Sequence, residues 1–142
     1  MSAWTTSTRD WISSLVYERH LWPDEYLQHL MKVIGTIGKH GRAVIVGRGA
    51  QFVLPPVDNL RVRVIAPMRK RIRNAVAELG VSESEAQKII LRTDADRRSF
   101  SRKYFYADVS DPINYDLVIN MDRMDLETAA KTIIAALNQL NA

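Results

Sequence analysis

Three short apolar runs, separated by segments of helical periodicity, constrain the fold of this chain more than any other feature of its sequence. The runs cover residues 43–46, 60–66 and 116–121. Their β-branched residues and their length are typical of strands buried in a parallel sheet, since a buried helix would be longer. This alternation predicts an α/β fold, in which a parallel sheet carries helices on both faces and right-handed crossovers join the strands.

The helices are predicted from the spacing of apolar residues and from signals at the helix ends. We expect helices over residues 7–20, 23–38, 68–79 and 125–140, and another that begins at residue 82 and extends past residue 100. Pro23 suits a first helical turn, Gly80 suits a C-cap, and Ser82 with Glu85 forms a capping box. Because 142 residues are the size of one ordinary domain, we predict a single domain over residues 1–142.

The composition excludes several classes of protein and of site. Apolar residues make up 46% and charged residues 25%, a balance typical of globular chains and not of disordered ones. The chain has no cysteine, which excludes disulfides, thiolate zinc sites and a thiol nucleophile. Its three histidines are scattered, so we expect no metal site built on them. Without an apolar run long enough for a membrane span, or a secretory signal, we expect a cytoplasmic protein.

The positive charge is concentrated in one third of the chain. Residues 61–103 hold 12 basic and 5 acidic residues, whereas the rest holds 8 basic and 11 acidic ones. Most of these cations are arginines, whose planar guanidinium suits forked recognition of phosphate or carboxylate. The pattern favours a phosphate-bearing partner, with a solvated basic face as the alternative.

The first candidate site is Arg48, which lies between Gly47 and Gly49 after the first apolar run. Ligands of open α/β sheets bind beyond the carboxyl ends of the strands, and flanking glycines allow close approach of the backbone. Arg48 is thus well placed to hold a phosphate. The alternative is that it bonds a neighbouring loop carbonyl.

The second candidate site is a cluster of arginines on the fourth predicted helix. The cluster consists of Arg92, Arg97, Arg98 and Arg102, accompanied by Asp94 and Asp96. Residues three or four apart share a helix face, so the aspartates could form a plain salt-bridged surface with the arginines. Alternatively, the arginines could form a mobile lid over a transferred phosphate, because phosphoryl transfer depends on positioning and charge neutralisation.

The third candidate is the last strand, with Asp116 at its start and Asn120 at its end. Asn120 could contact a nucleotide base. We favour the simpler interpretation, in which both residues only mark the ends of the strand.

Four motifs follow one another along the chain: VIVGRGA at residues 44–50, VIAP at 64–67 with Arg71 and Arg73, Asp94 with Arg97, and YDLVIN at 115–120. In order and approximate spacing they resemble those of the cytidylate kinase-like family, bacterial relatives of nucleoside monophosphate kinases within the P-loop superfamily. The resemblance runs from about Tyr26 to Leu140, some four fifths of the chain.

The resemblance implies transfer of a phosphoryl group from ATP, with Mg, to CMP or a similar acceptor. Arg48 would hold the acceptor phosphate, and Asp94 and Arg97 would contact the acceptor nucleotide. Arg92, Arg98 and Arg102 would belong to the lid. Neither a catalytic residue nor a metal ligand can be assigned. Met121 departs from the small hydroxyl residue expected after Asn120.

A phosphate-binding loop is absent from this sequence, which contains no G-x-x-x-x-G-K-[ST] motif. We therefore predict a P-loop nucleoside kinase-like fold that lacks the first strand, the phosphate loop and the first helix. The chain would be N-terminally incomplete, with residues 1–22 as an extra helical segment. The gap would expose strand edges, through which a homo-oligomer could form.

Three functional hypotheses follow from these observations. The chain is either the acceptor and lid part of a kinase, inactive by itself, or a non-catalytic domain for binding nucleotide or phosphate, or for oligomerisation. We rank a nucleic-acid module below both, because the aromatic residues are grouped in one stretch and not interleaved along a basic face.

Overall fold

The computed structural model describes residues 23–141 of the chain. Its helices are α1 (Pro23–His40), α2 (Ala50–Val53), α3 (Met68–Leu79), α4 (Glu83–Phe105) and α5 (Leu126–Leu140), and its strands are β1 (Val62–Ile65) and β2 (Leu117–Asn120). Two 3-10 turns cover Pro56–Asp58 and Pro112–Asn114. The helix predicted over residues 7–20 lies outside the described residues.

The two strands form a small parallel sheet. Val62 lies opposite Leu117, and the register continues to Ile65 opposite Asn120. Helices predominate around this sheet in the described part of the chain. The prediction of an α/β fold with parallel strands is thus confirmed.

The prediction of a buried strand over residues 43–46 is wrong. This segment forms no strand, and the side chains of Val44 and Val46 are 93% and 75% exposed. A strand needs a neighbour to pair its backbone N–H and C=O groups. In residues 23–141 the sheet contains only β1 and β2, which pair with each other, and the apolar run pairs with neither of them.

The ends of the helices follow the capping signals of the sequence. Gly80 ends α3 in the left-handed conformation, with φ of 66°. The Ser82 hydroxyl accepts a 3.2 Å hydrogen bond from the backbone N–H of Glu85 at the start of α4. The Asp125 carboxylate likewise accepts from the N–H of Thr128, at 2.7 Å, before α5. Local hydrogen bonding therefore sets these boundaries.

The core is small and contains a cluster of aromatic rings. The buried apolar residues are Ile34, Ala50, Ala86, Ile90, Ile119 and Ala129. The aromatic cluster consists of Tyr26, Phe52, Phe100, Tyr104 and Phe105, whose successive ring centroids lie 4.9–6.4 Å apart. It joins α1 and α2 to the carboxyl-terminal end of α4.

An ion pair joins the segments that enter the two strands. Asp116 accepts hydrogen bonds from the backbone N–H, Nε and Nη2 of Arg61, at 2.8, 3.2 and 2.9 Å. The carbonyl of Arg61 accepts in return from the N–H of Asp116, at 2.8 Å. The side chain of Arg61 thereby lowers the pKa of Asp116. This reciprocal arrangement fixes the register at the start of the sheet. Asp116 thus lies where the simpler interpretation puts it, at the start of the last strand.

Replacing Asp116 tests the importance of this register. We expect Asp116→Ala to lower the free energy of unfolding by about 1 to 2 kcal/mol, because it removes three charge-assisted hydrogen bonds at the surface of the sheet. Urea unfolding at neutral pH measures the effect, with Asp58→Ala at an exposed position as the control. Equal stability of the two variants would contradict the assigned role.

Candidate functional site

An open cleft of about 520 Å³ lies beside β1 and the basic helix α4. We call it the arginine cleft. Its lining residues are Arg63, Val64, Ile65, Ala66, Arg71, Asp94, Arg97, Arg98, Val109, Ser110 and Tyr115. They come from β1 and the residue after it, from α3, from α4 and from the loop before β2.

A forked ion pair between Arg71 and Asp94 forms one wall of the cleft. Nη1 and Nη2 of Arg71 each donate a 2.7 Å hydrogen bond to a different carboxylate oxygen of Asp94. The pair connects α3 to α4, and both side chains are half-buried. The hydrogen bonds from Arg71 lower the pKa of Asp94, and the charges of Arg97 and Arg98 lower it further. Asp94 is therefore ionised at neutral pH and can only accept hydrogen bonds.

Arg97 and Arg98 add positive charge to the cleft beyond what Asp94 neutralises. Nη1 of Arg97 lies 3.9 Å from the Asp94 carboxylate, and the Arg97 side chain is 67% exposed. A contact of that length at the surface is weak. The lining contains four arginines and a single carboxylate. The arrangement can therefore attract and hold an anion.

Arg63 and Tyr115 hold the loop that forms the opposite wall. Both the Arg63 guanidinium and the Tyr115 hydroxyl, the latter at 2.7 Å, donate to the carbonyl of Val109. The guanidinium also lies 5.8 Å from the centroid of the Tyr115 ring. Two donors on one carbonyl fix the loop against β1.

The structure brings some of the predicted site residues together. Asp94, Arg97 and Arg98 line the cleft, whereas Arg48, Arg92 and Arg102 are not among its lining residues. Arg92 and Arg102 are exposed on α4.

Arg48 lies in a turn before α2, where Gly47, Arg48 and Gly49 all have positive φ, of 76°, 61° and 68°. We call these three residues the glycine turn. The left-handed region is unusual for a residue with a Cβ. The two glycines adopt it without steric cost, so the sequence suits the turn.

Sequence reasoning did not identify Arg63, Arg71 and Tyr115 as site residues. A weak signal existed for Arg63, since a charged residue interrupts an otherwise apolar strand. Arg71 was named only as part of the motif that resembles the family, without a role in the site. Nothing local indicates that it pairs with a carboxylate 23 positions further along the chain.

The other candidates have structural roles in the described residues. The Asn120 side-chain oxygen accepts a 3.0 Å hydrogen bond from the N–H of Asp122 and closes the turn after β2. Residues 23–141 contain no group of three or more His, Cys, Asp and Glu side chains placed to hold a metal. In the same range no helix is both long and apolar enough to span a bilayer.

A sequence model described as the cytidylate kinase-like family matches residues 2–123 of this chain. A cytidylate kinase from Pyrococcus horikoshii is 29% identical over 103 residues, which are 72% of this chain and 53% of that protein. A uronate isomerase from Corynebacterium glutamicum is 30% identical over 108 residues, 75% of this chain but only 20% of that protein. The chain thus spans about half and about a fifth of these two relatives.

A solved structure shares the fold. It belongs to an uncharacterized protein from Eubacterium ventriosum, with a TM-score of 0.68 and 22% sequence identity. The alignment covers 80% of this chain and 63% of that one. At this identity the likeness supports the arrangement of helices and strands and nothing finer.

The lowered pKa of Asp94 predicts a pH-dependent contribution to stability. The ionised carboxylate stabilises the folded chain fully above its unfolded pKa of about 3.9, and the contribution is lost as the pH falls through the lower folded pKa. We expect Asp94→Asn to be less stable than wild type at neutral pH, by an amount that shrinks below about pH 4.

Urea unfolding over this pH range measures the difference between the two proteins. Asp96→Asn, at an exposed position of the same helix, is the matched control. A difference between wild type and Asp94→Asn that stays constant with pH would contradict the assignment.

Proposed function

The chain belongs to the cytidylate kinase-like family, and from that premise we propose that its arginine cleft binds an acceptor nucleotide, CMP or a similar nucleoside monophosphate. The observation that carries the proposal is the convergence of four arginines and one carboxylate on the cleft. A phosphate monoester carries close to two negative charges at neutral pH, which matches this surplus of positive charge.

Within this proposal, the Arg71–Asp94 pair has two roles. Asp94, held ionised and oriented by Arg71, offers an acceptor to the amino or hydroxyl donors of a nucleoside. Arg97, with only a long contact to Asp94, can turn its guanidinium towards the phosphate. The cleft thus provides separate partners for the two ends of a nucleotide.

The roles of the remaining arginines rest on the family resemblance. Arg48 would hold the acceptor phosphate from the glycine turn, and Arg92, Arg98 and Arg102 would belong to a lid. Arg98 lines the cleft already. Arg92 and Arg102 lie on the same helix and would reach the ligand through movement of α4.

The donor side of the reaction is not assigned to this chain. ATP with Mg needs a phosphate loop that ends in Lys and Ser or Thr, and none of the 142 residues forms that motif. The carboxylates of the described residues also form no cluster suited to a cation. We propose phosphoryl transfer only where a phosphate loop completes a P-loop fold.

A second candidate function is a non-catalytic binding or oligomerisation domain. The observations in its favour are the exposure of the apolar residues Val44 and Val46, and a sheet that within residues 23–141 leaves one edge of each strand unpaired. Unpaired edges offer backbone donors and acceptors to another chain. We propose a second copy of this chain as the partner.

Binding of CMP tests the main proposal. We expect the purified 142-residue chain to bind CMP, and Arg97→Ala and Arg48→Ala each to weaken binding by about tenfold, because a charge-assisted hydrogen bond to phosphate is lost. Titration calorimetry measures the affinity. Arg73→Ala is the matched control, since Arg73 is exposed on α3 and lies outside the cleft.

Equal affinity of all three variants and wild type would overturn this assignment of residues. Absence of CMP binding, together with an affinity for RNA or DNA that falls steeply with salt, would instead favour the nucleic-acid hypothesis.

Sedimentation tests the oligomerisation proposal. We expect wild type to self-associate at micromolar concentration, and Val44→Lys with Val46→Lys to shift the equilibrium to monomer, because lysine opposes pairing at a strand edge. Val57→Lys, at an exposed position of the first 3-10 turn, is the control. A monomeric wild-type chain would refute this proposal.

A further inference from the structure

The glycine turn needs support from the residues around it. Its three consecutive residues are all left-handed, including Arg48 with φ of 61°. A residue with a Cβ keeps such a conformation only where its surroundings over-determine it. The contacts of the turn are therefore informative about what holds Arg48 in place.

The ring of Phe105 lies directly against the turn. A Cβ added to Gly49 would overlap Cε2 of Phe105 and would lie 2.9 Å from its Cζ. Gly49 itself is buried. No side chain fits between the turn and the ring, so the backbone of Gly49 packs directly against the ring of Phe105.

Phe105 is also the last residue of α4, the helix that carries the arginines of the candidate site. Its ring stacks on Phe52 of α2, with centroids 5.2 Å apart and planes at 29°. It meets Phe100 edge-on at 6.0 Å. Packing from both α2 and α4 holds the ring, which leaves the glycine turn little freedom to shift relative to α4.

A second contact connects the same region to the arginine cleft. Nε2 of Gln51, in α2, donates a long 3.4 Å hydrogen bond to the hydroxyl of Tyr115. That hydroxyl bonds the Val109 carbonyl in the wall of the cleft. The segment that follows Arg48 is therefore tied both to the end of α4 and to the cleft loop.

We infer that Phe105 is a positioning residue for Arg48. Its ring fixes the glycine turn to the end of α4 and so sets where the Arg48 guanidinium lies relative to Arg97 and Arg98. Phe105 acts through the backbone of Gly49 and needs no contact with the ligand. This inference rests on the proposed function, because it concerns the geometry with which these arginines share one phosphate-bearing ligand.

Phe105→Leu tests the inference through CMP affinity. We expect binding to weaken about fivefold, because leucine removes the ring that packs against Gly49 and stacks on Phe52. Tyr104→Leu is the matched control, because it removes a ring from the same aromatic cluster whose ring contacts are with Tyr26 and Phe100. We expect its affinity to equal that of wild type, measured below the unfolding transition of each variant.

The double variant Arg48→Ala with Phe105→Leu separates positioning from general destabilisation. Once Arg48 is absent, the turn has no guanidinium to place, so Phe105→Leu should cause less than a twofold further loss. Fully additive losses would overturn the inference. So would an equal loss of affinity in Phe105→Leu and Tyr104→Leu.

Amide hydrogen exchange gives a readout that needs no ligand. The N–H of Phe52 bonds the Gly49 carbonyl at 2.8 Å, and the N–H of Ala50 bonds that of Gly47 at 3.3 Å. We expect Phe105→Leu to accelerate exchange at both amides about tenfold, and Tyr104→Leu to leave them unchanged. Unchanged exchange in Phe105→Leu would overturn the inference.

The two readouts distinguish failure of the inference from failure of the proposed function. A wild-type chain that does not bind CMP, but whose turn loosens in Phe105→Leu, would refute only the proposed function. If Phe105→Leu does not fold, Phe105→Met provides the same comparison, because the flexible methionine side chain fills a similar volume without an aromatic ring.

Discussion

Pairing between β1 and β2 is the interaction on which the rest of the described chain depends. Parallel strands need a long connection between them, and α3 and α4 supply it here. The Arg61–Asp116 pair fixes the register where the strands begin, so the residues at the other end of β1 take a defined place beside α4. The arginine cleft lies there because the β1–β2 pairing and the α3–α4 connection together bring segments that are distant in sequence to the same end of the sheet.

Charge balance within the cleft follows from the packing of α3 on α4. Asp94 is close to two arginines, but it forms a good fork with only one, Arg71. Burial of the pair makes that fork worth more than a surface contact, and it leaves Arg97 and Arg98 with surplus charge. A single carboxylate thus both ties two helices together and leaves the cleft positive.

The exposed apolar residues and the arginine cleft support the two functions that we propose for this chain. Val44 and Val46 lie in a segment whose sequence is typical of a strand, but the segment pairs with no strand of the described residues and both valines are exposed. The chain also spans only part of the length of its two relatives. The four arginines of the cleft are the ones we propose for binding an acceptor nucleotide, whereas the sequence contains no phosphate-binding loop for a donor.

Local sequence determined most of the elements, because caps and periodicity act over a few residues. Gly80, Ser82 and Asp125 end or begin helices as their types require, and the arginine-rich helix was evident from spacing. Tertiary structure alone decided that residues 43–46 are not a strand, since that depends on a neighbour far away in sequence. Tertiary structure also decided that Arg71 forms an ion pair with Asp94 and that Phe105 packs against Gly49, because both contacts depend on how whole helices pack.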